Sequence, residues 1–227
     1  MAESLRDILD AAARGVLPAA DGGTTVVPQH GPRDAGVITF TAHSVVFTGE
    51  DEGWVRGTLA PPGCDALAAS MNARFLTALG ERTGRTTDTI DVLLTGAPLP
   101  GRPGVALTEV AGPGHPRVVA ARRRHDAVRV WAADGGVLVL GRGVAGRLEV
   151  AVEVAEGARQ RGPGRRLVTA ARQLAGGEPV WTQMAAGNAR GLRAFQAAGY
   201  RPVGSEALFV RPRITVAGAG AGAGAGA

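Results

Sequence analysis

Residues 188–200 read Asn188-Ala189-Arg190-Gly191-Leu192-Arg193-Ala194-Phe195-Gln196-Ala197-Ala198-Gly199-Tyr200. The informative positions are Asn188, the small Gly191, Phe195 and the Gly199-Tyr200 pair. Asn, Phe and Tyr are scarce here, numbering two, five and one, so this spacing arises by chance on the order of 10⁻⁴ times in a chain of this composition. One helix and one strand upstream lies Arg159-Gln160-Arg161-Gly162-Pro163-Gly164. Alone it says little, because with 35 glycines in 227 residues an Arg/Gln-x-x-Gly-x-Gly pattern is expected about 0.7 times by chance. The weight lies in the pair.

The residues before the glycines explain what such a loop can do. Leu148, Val150, Val152 and Val154 alternate with Glu149, Ala151 and Glu153, so a strand there has one apolar face and one face carrying two carboxylates. That strand runs straight into Arg159–Gly164. A strand, a glycine loop and a helix start leave unpaired N–H groups pointing outward, and the helix dipole adds about half a positive charge, which together suit an anion. Arg159, Arg161, Arg165 and Arg166 surround the loop. The same glycines also fit a plain strand-to-helix turn with Pro163 at the first helical position.

Periodicity predicts the remaining elements. Leu5, Ile8, Leu9, Ala12 and Ala13 mark an opening helix that ends near Gly15 and Pro18. Two β-rich stretches, 37–48 and 54–59, flank the turn-like segment 49–53 and read as a hairpin. A helix over 70–82 shows Met71, Phe75, Leu76 and Leu79 on one face, and 90–94 reads as a short buried strand. Segment 96–116 holds five Pro and five Gly and divides the chain into residues 1–115 and 116–213. A short helix over 116–122 follows, then strands 128–132 and 137–140 around Asp134-Gly135-Gly136, strand 148–154, helix 164–174, strand 180–184, helix 188–198 and strand 202–210. From Val128 the order is βββαβαβ.

All 25 basic residues are Arg, none Lys, which reads as compositional bias more simply than as selection for a basic surface. Residues 1–116 carry 8 Arg against 13 acids and residues 117–227 carry 17 against 7. A positive second half suits a ligand with several phosphates. A nucleic acid is the weaker match, because no groove-reading helix, aromatic-rich sheet or zinc spacing accompanies it. Cys64 excludes an internal disulfide and lacks metal-site neighbours. The N-terminus has no signal-peptide pattern and no stretch reaches 18 apolar residues, which predicts a cytoplasmic protein. Residues 214–227, mostly alternating Ala and Gly, read as a disordered tail.

With these residues in place, segment 116–211 resembles the GNAT acyltransferases, whose elements follow this order. The resemblance implies an α/β fold with a mixed sheet in the C-terminal half, and an N-terminal α/β subdomain that either walls the acceptor side or is a degenerate second copy. It implies an N-acyltransferase that uses acetyl-CoA as co-substrate and no metal, acting on a small amine, amino acid or peptide, with a homodimer open. Carried over, the pyrophosphate loop comprises Arg159, Gln160, Arg161, Gly162, Gly164 and Arg165, and the pantetheine arm lies between splayed strands 148–154 and 180–184 beside Val152 and Val154. A backbone amide of strand 148–154 polarises the thioester carbonyl. Asn188 matches a position that contacts the CoA arm, and it also fits a helix N-cap. Phe195 stands where many members carry the Tyr that protonates the leaving thiolate, and Pro163 removes one N–H from the loop. Two alternatives of other classes are a non-catalytic acyl-CoA-binding module and a nucleic-acid-binding protein.

Glu153 and Glu149 are the candidate bases, being on the thioester strand and four residues apart, hence on one face; solvent-facing charges are the plainer reading. His125, His115 and Glu206 could also act as a base, though two surface histidines and a solvent-facing strand carboxylate are the plainer readings; Trp131 and Trp181 read as core, and Arg122-Arg123-Arg124 as a solvated basic run that could instead hold the 3′-phosphate of CoA.

Overall fold

A computed structural model describes residues 3–60, 65–110, 112, 114 and 116–212; Cys64, His115 and the Ala/Gly tail lie outside them. The chain opens with α1 (Leu5–Ala13), which Ser4 and Asp7 start through a reciprocal capping box. Next come β1 (Thr24–Pro28), β2 (Asp34–Phe40) and β3 (His43–Thr48). The hairpin expected between 37–48 and 54–59 lies instead between β2 and β3, whose ladder runs from Gly36↔Phe47 to Phe40↔His43. Its tight turn contains no glycine, and Ala42 takes the positive φ of 51° that such a turn requires.

Segment 54–59 belongs to α2 (Glu52–Leu59), a correction with a local cause. Asp51 accepts the Trp54 N–H at 3.0 Å as N-cap, and Arg56 pairs with Glu52 one turn away. These contacts outweigh the β-like content of Trp, Val and Thr. Helix α3 (Ala73–Thr83) buries Phe75, Leu76 and Leu79 and ends on Gly84 at φ 62°. Met71 falls in the 3-10 turn that precedes it.

Strand β4 (Asp91–Gly96) follows, then the Pro/Gly-rich segment, which includes the short β5 (Thr108–Glu109). The rest is α4 (Pro116–Arg122), β6 (Asp126–Ala133), β7 (Gly136–Arg142), β8 (Leu148–Val154), α5 (Pro163–Leu174), β9 (Val180–Ala185), α6 (Ala189–Ala197) and β10 (Arg201–Val210). This is the βββαβαβ order read from the sequence.

The ten strands form one sheet in the order β1-β3-β2-β10-β4-β9-β8-β7-β6-β5. Among the described residues only β1–β3 and β8–β9 are parallel pairs. Strand β4 is inserted between β9 and β10 and is antiparallel to both, so residues from both halves of the chain share the centre of the sheet. The Pro/Gly-rich segment carries the chain from that centre to the far edge, where β5 pairs with β6.

Alternation assigns the faces. Leu94, Val150, Val180 and Met184 pack with Leu167 and Val168 of α5 and Phe195 of α6. On the opposite face Leu93 and Trp181 pack with Leu5, Ile8 and Leu9 of α1. A third cluster joins Val55 of α2 and Phe75 and Leu79 of α3 to Val37, Val46, Ala207 and Phe209. Trp131 and Trp181 are both buried in this core. The fold is thus a mixed α/β sheet, with the N-terminal strands extending it beyond β10.

Candidate functional site

Strands β8 and β9 pair in parallel at only two positions, Leu148↔Val180 and Glu149↔Trp181. Beyond them each stays paired on its outer side, β8 with β7 as far as Val154↔Gly136 and β9 with β4 as far as Ala185↔Asp91. The two strands therefore diverge from Val150 onward, and the backbone groups along the facing edges are left without ladder partners. At the open end Gly164 of α5 comes so close that a Cβ there would lie 3.5 Å from Val154 and 3.9 Å from Ala194 of α6. Val152 packs against the core on the α5 side and Val154 is half-buried.

The loop between β8 and α5 begins with a 3-10 turn at Glu156–Ala158. Gln160 then takes φ 65° and Gly162 φ 84°. Gly162 is the N-cap of α5 and offers no side-chain acceptor, while Pro163 sits at the first helical position. Arg166 N–H reaches the Gly162 carbonyl at 3.3 Å, whereas the N–H groups of Gly164 and Arg165 have no acceptor among the described residues. Arg161 folds back onto the Gly157 carbonyl. Arg159, Arg165 and Arg166, with Arg190 and Arg193 of α6, are exposed and make no ion pair among the described residues. A helix N-terminus with free amides and uncompensated guanidinium groups is an anion site.

Asn188 caps α6, its Oδ1 accepting the Gly191 N–H at 3.0 Å. Asn188 itself is exposed. Phe195 is buried, edge-on to Tyr200 with ring centroids 4.9 Å apart. The Tyr200 hydroxyl donates to the Val168 carbonyl at 3.2 Å, and burial pushes its phenol upward against a weaker pull from Arg172.

The carboxylate face of β8 looks into a cavity of about 480 Å³ on the other side of the sheet. Asp91 of β4, Glu149 of β8, Gln183 of β9 and His125 line it, with Asp88 and Arg124 among the residues around them. Glu149 is buried rather than solvent-facing, at 3% exposure. Its carboxylate accepts from Arg147 Nε at 2.7 Å, Val144 N at 3.1 Å, His125 Nε2 at 2.9 Å and Gln183 Nε2 at 3.2 Å. Glycine is required at Gly143, because a Cβ there would overlap the Glu149 carboxylate at about 2.1 Å.

Arg147 also donates to Glu206 Oε2 at 2.7 Å and lies over the Trp181 ring. Burial opposes ionisation of Glu149, but Arg147 and then His125 outweigh it and pull the carboxyl down to about 2. Glu206, wholly buried, goes the other way: burial raises its pKa by more than Arg147 lowers it. His125 is a second departure from expectation. Its side chain is 10% exposed because α4 ends beside it and Glu149 ties it to the sheet. With Nε2 donating to an acceptor-only carboxylate, Nδ1 is the free nitrogen of the neutral ring. That atom is buried and has no partner among the described residues.

Glu153 is exposed and ion-paired with Arg117 of α4. The structure therefore brings Glu149 together with His125, Gln183 and Asp91 and leaves Glu153 at the surface. Sequence reasoning missed Arg147, Gln183 and Asp91. The one available signal was Glu206, a carboxylate inside the apolar run 203–210, which requires a buried cation opposite it. Among the described residues no three His, Cys, Asp or Glu side chains group as a metal site, and no helix is long and apolar enough to cross a membrane.

No protein-family model and no curated protein matches the chain. Solved structures similar to it include a GCN5-related N-acetyltransferase from Kribbella flavida, at 21% identity over 63% of this chain and 65% of that one, with a TM-score of 0.41. A second, from Sphaerobacter thermophilus, shares 15% over 60% of this chain and 56% of that one, at 0.36. A tandem GNAT protein from the clavulanic acid biosynthesis pathway shares 11% over 78% and 62%, at 0.34. The chain spans a little under two thirds of the first of these. All three are distant likenesses of fold, from which no residue role is transferred.

Proposed function

We propose that the chain is an N-acyltransferase that moves an acetyl group from acetyl-CoA to an amine. The observation that carries this reading is the two-position register of β8 and β9, which opens a cleft between free backbone edges. Residues present in the chain fit acetyl-CoA at both ends of that cleft: unpaired amides and arginines at the start of α5 for a pyrophosphate, and strand edges for an amide-rich arm. Acetyl-CoA supplies an activated acyl carbon. The acceptor nitrogen bonds to that carbon as the carbon–sulfur bond breaks, and the thiol leaves with one proton while the amine gives one up.

The chain's own groups divide the remaining work. Arg159, Gln160, Arg161, Gly162, Gly164 and Arg165 hold the phosphates, Val152 and Val154 border the arm, and Asn188 offers its amide NH₂ while capping α6. Pro163 has no N–H to give, which forgoes about 1–3 kcal/mol of a charge-assisted bond at that position. A free base is needed because an ordinary amine is protonated at neutral pH. Glu149, held near 2 and engaged by four donors, is suited to orienting His125, whose Nδ1 takes the proton. Glu153 is the surface alternative, tied to Arg117. Arg33, Asp34, residues 86–89 and Asp91 of the N-terminal half wall the acceptor cavity.

A non-catalytic acyl-CoA-binding module is the second reading. It is favoured by Phe195, which offers no hydroxyl, and by Tyr200, whose hydroxyl is committed to Val168. Titrating acetyl-CoA by calorimetry and following free thiol release over a panel of amines, amino acids and peptides tests both. Binding with amine-dependent thiol release supports the enzyme, binding alone supports the module, and no binding at millimolar acetyl-CoA removes both.

A further inference from the structure

The cavity beneath the β8–β9 junction is lined by charges of both signs. Asp91 and Glu149 are on the strands that form its floor, beside Gln183, with Asp88 three residues before Asp91. Arg123 and Arg124 follow the end of α4, Arg211 follows the end of β10, and all three are exposed. Arg33 and Asp34, also at the wall, neutralise one another at 2.9 Å.

Glu149 is compensated by Arg147, but the remaining groups are not ion-paired. Asp88, Arg123, Arg124 and Arg211 have no ion pair among the described residues, and Asp91 Oδ1 is buried without a hydrogen-bond donor. Burial raises the Asp91 carboxyl, Asp88 adds to the rise, and Arg124 only partly offsets it. A half-buried carboxylate with one oxygen buried and unpartnered gains from an incoming cation. The outward guanidinium groups equally lack an anion, and planar guanidinium groups favour carboxylate partners.

Resting on the acyltransferase reading above, we propose that the acceptor is an amino acid, whose amine enters the floor at Asp91 and His125 while its carboxylate stays at Arg123 and Arg124. This orientation sets the ligand's cation against the unpartnered Asp91 oxygen and its anion against guanidinium groups that make no ion pair among the described residues. A polyamine would leave the three arginines uncompensated and facing a like charge. A purely anionic ligand would meet Asp88, Asp91 and Glu149. At about 480 Å³ the cavity is at the lower end of the range for small-molecule sites, which favours a single amino acid over a folded protein tail.

Calorimetry on the full chain without acetyl-CoA tests the proposal, using the twenty standard L-amino acids, their decarboxylated amines and their Nα-acetyl derivatives. At least one amino acid should bind, at least tenfold more tightly than both its amine and its acetylated form, because each lacks one of the two charges. Arg124→Gln and Asp88→Asn, both at exposed positions, should each weaken that binding about tenfold and leave acetyl-CoA affinity unchanged. Equal binding of the amine removes the carboxylate subsite and overturns the proposal, as does no binding of any amino acid. Acetyl-CoA is titrated separately. Its failure to bind would remove the acyltransferase reading while the amino-acid titration still reports on the cavity.

Discussion

His125 Nε2 donates to Glu149 Oε2 at 2.9 Å, joining the loop after α4 to the first residues of β8 across 24 positions of sequence. Glu149 cannot swing away to take a proton itself, because Arg147, Val144 and Gln183 hold its other lone pairs. The arrangement has the form of a base held in one tautomer by an orienting carboxylate. His125→Gln should therefore lower the rate of thiol release by about 10²–10⁴, the usual worth of general base help, with acetyl-CoA affinity unchanged. Steady-state rates from pH 6 to 9 check this. A variant with the wild-type rate and pH profile would assign the proton to another group, Glu153 first.

The two carboxylates on Arg147 should respond oppositely to neutralisation. Glu149 titrates near 2 instead of the usual 4.5, so it contributes about 3 kcal/mol that is fully present above pH 4.5 and is lost as pH falls through 2. Glu206 is raised, so its ionised form costs stability above its usual range, and that cost disappears as pH falls through the raised value. Glu149→Gln should reduce unfolding free energy by about 3–5 kcal/mol at pH 7, since it leaves Arg147 half-paired in the interior. Glu206→Gln should cost far less, because Glu149 remains. Urea unfolding of both variants at pH 7 and pH 4 decides it, and equal losses would contradict the opposed shifts.

The contrast between these two carboxylates marks where sequence reading stops. Strand β8 was legible because Leu148, Val150, Val152 and Val154 alternate with polar residues, and α5, β9 and α6 because their punctuation by Gly162, Gly187 and Gly199 is local. The β2–β3 hairpin was misplaced because Ala42 turns the chain at φ 51° without the glycine that signals such a turn. Helix α2 reads as strand in the sequence because the Asp51 cap and the Arg56–Glu52 pair outweigh the β propensity of Trp, Val and Thr. The insertion of β4 between β9 and β10, which brings Asp91 beside Glu206, depends on pairing between residues more than 80 positions apart. No local pattern carries it, so the cavity lined by Asp91 and Glu149 was invisible while the glycine loop before α5 was not.

Gly162 is the most sensitive single position in the loop. At φ 84° a β-branched residue is strained by roughly 1–3 kcal/mol even though open space surrounds it. Gly162→Val should relax that strain by reorienting the N–H groups of Gly164 and Arg165, and acetyl-CoA affinity should fall at least tenfold. Gly57→Ala within α2, with open space and no positive φ, serves as control: it should raise stability by about 0.5–1 kcal/mol without changing affinity. Calorimetric titration of both with acetyl-CoA gives the comparison. Unchanged affinity in Gly162→Val would make the loop only a connection.

Phe195 is buried against Tyr200 and faces a choice that one oxygen atom resolves. If its ring edge borders the departing sulfur, Phe195→Tyr supplies a proton donor. The gain is bounded, because a thiol with a pKa near 8.5 leaves a thiolate only about 2 kcal/mol from its preferred protonation at pH 7, so a rise of about tenfold in turnover is expected. If the ring edge points only at the core, the new hydroxyl is buried without an acceptor and costs about 1–3 kcal/mol of stability with no gain in rate. The expected outcome is the first, because α6 follows β9 after a three-residue link and its Ala194 lies beside Gly164 at the start of α5. Thiol release at pH 7 and urea unfolding, measured on the same preparation, separate the two; a destabilised variant with unchanged turnover would put the leaving sulfur elsewhere.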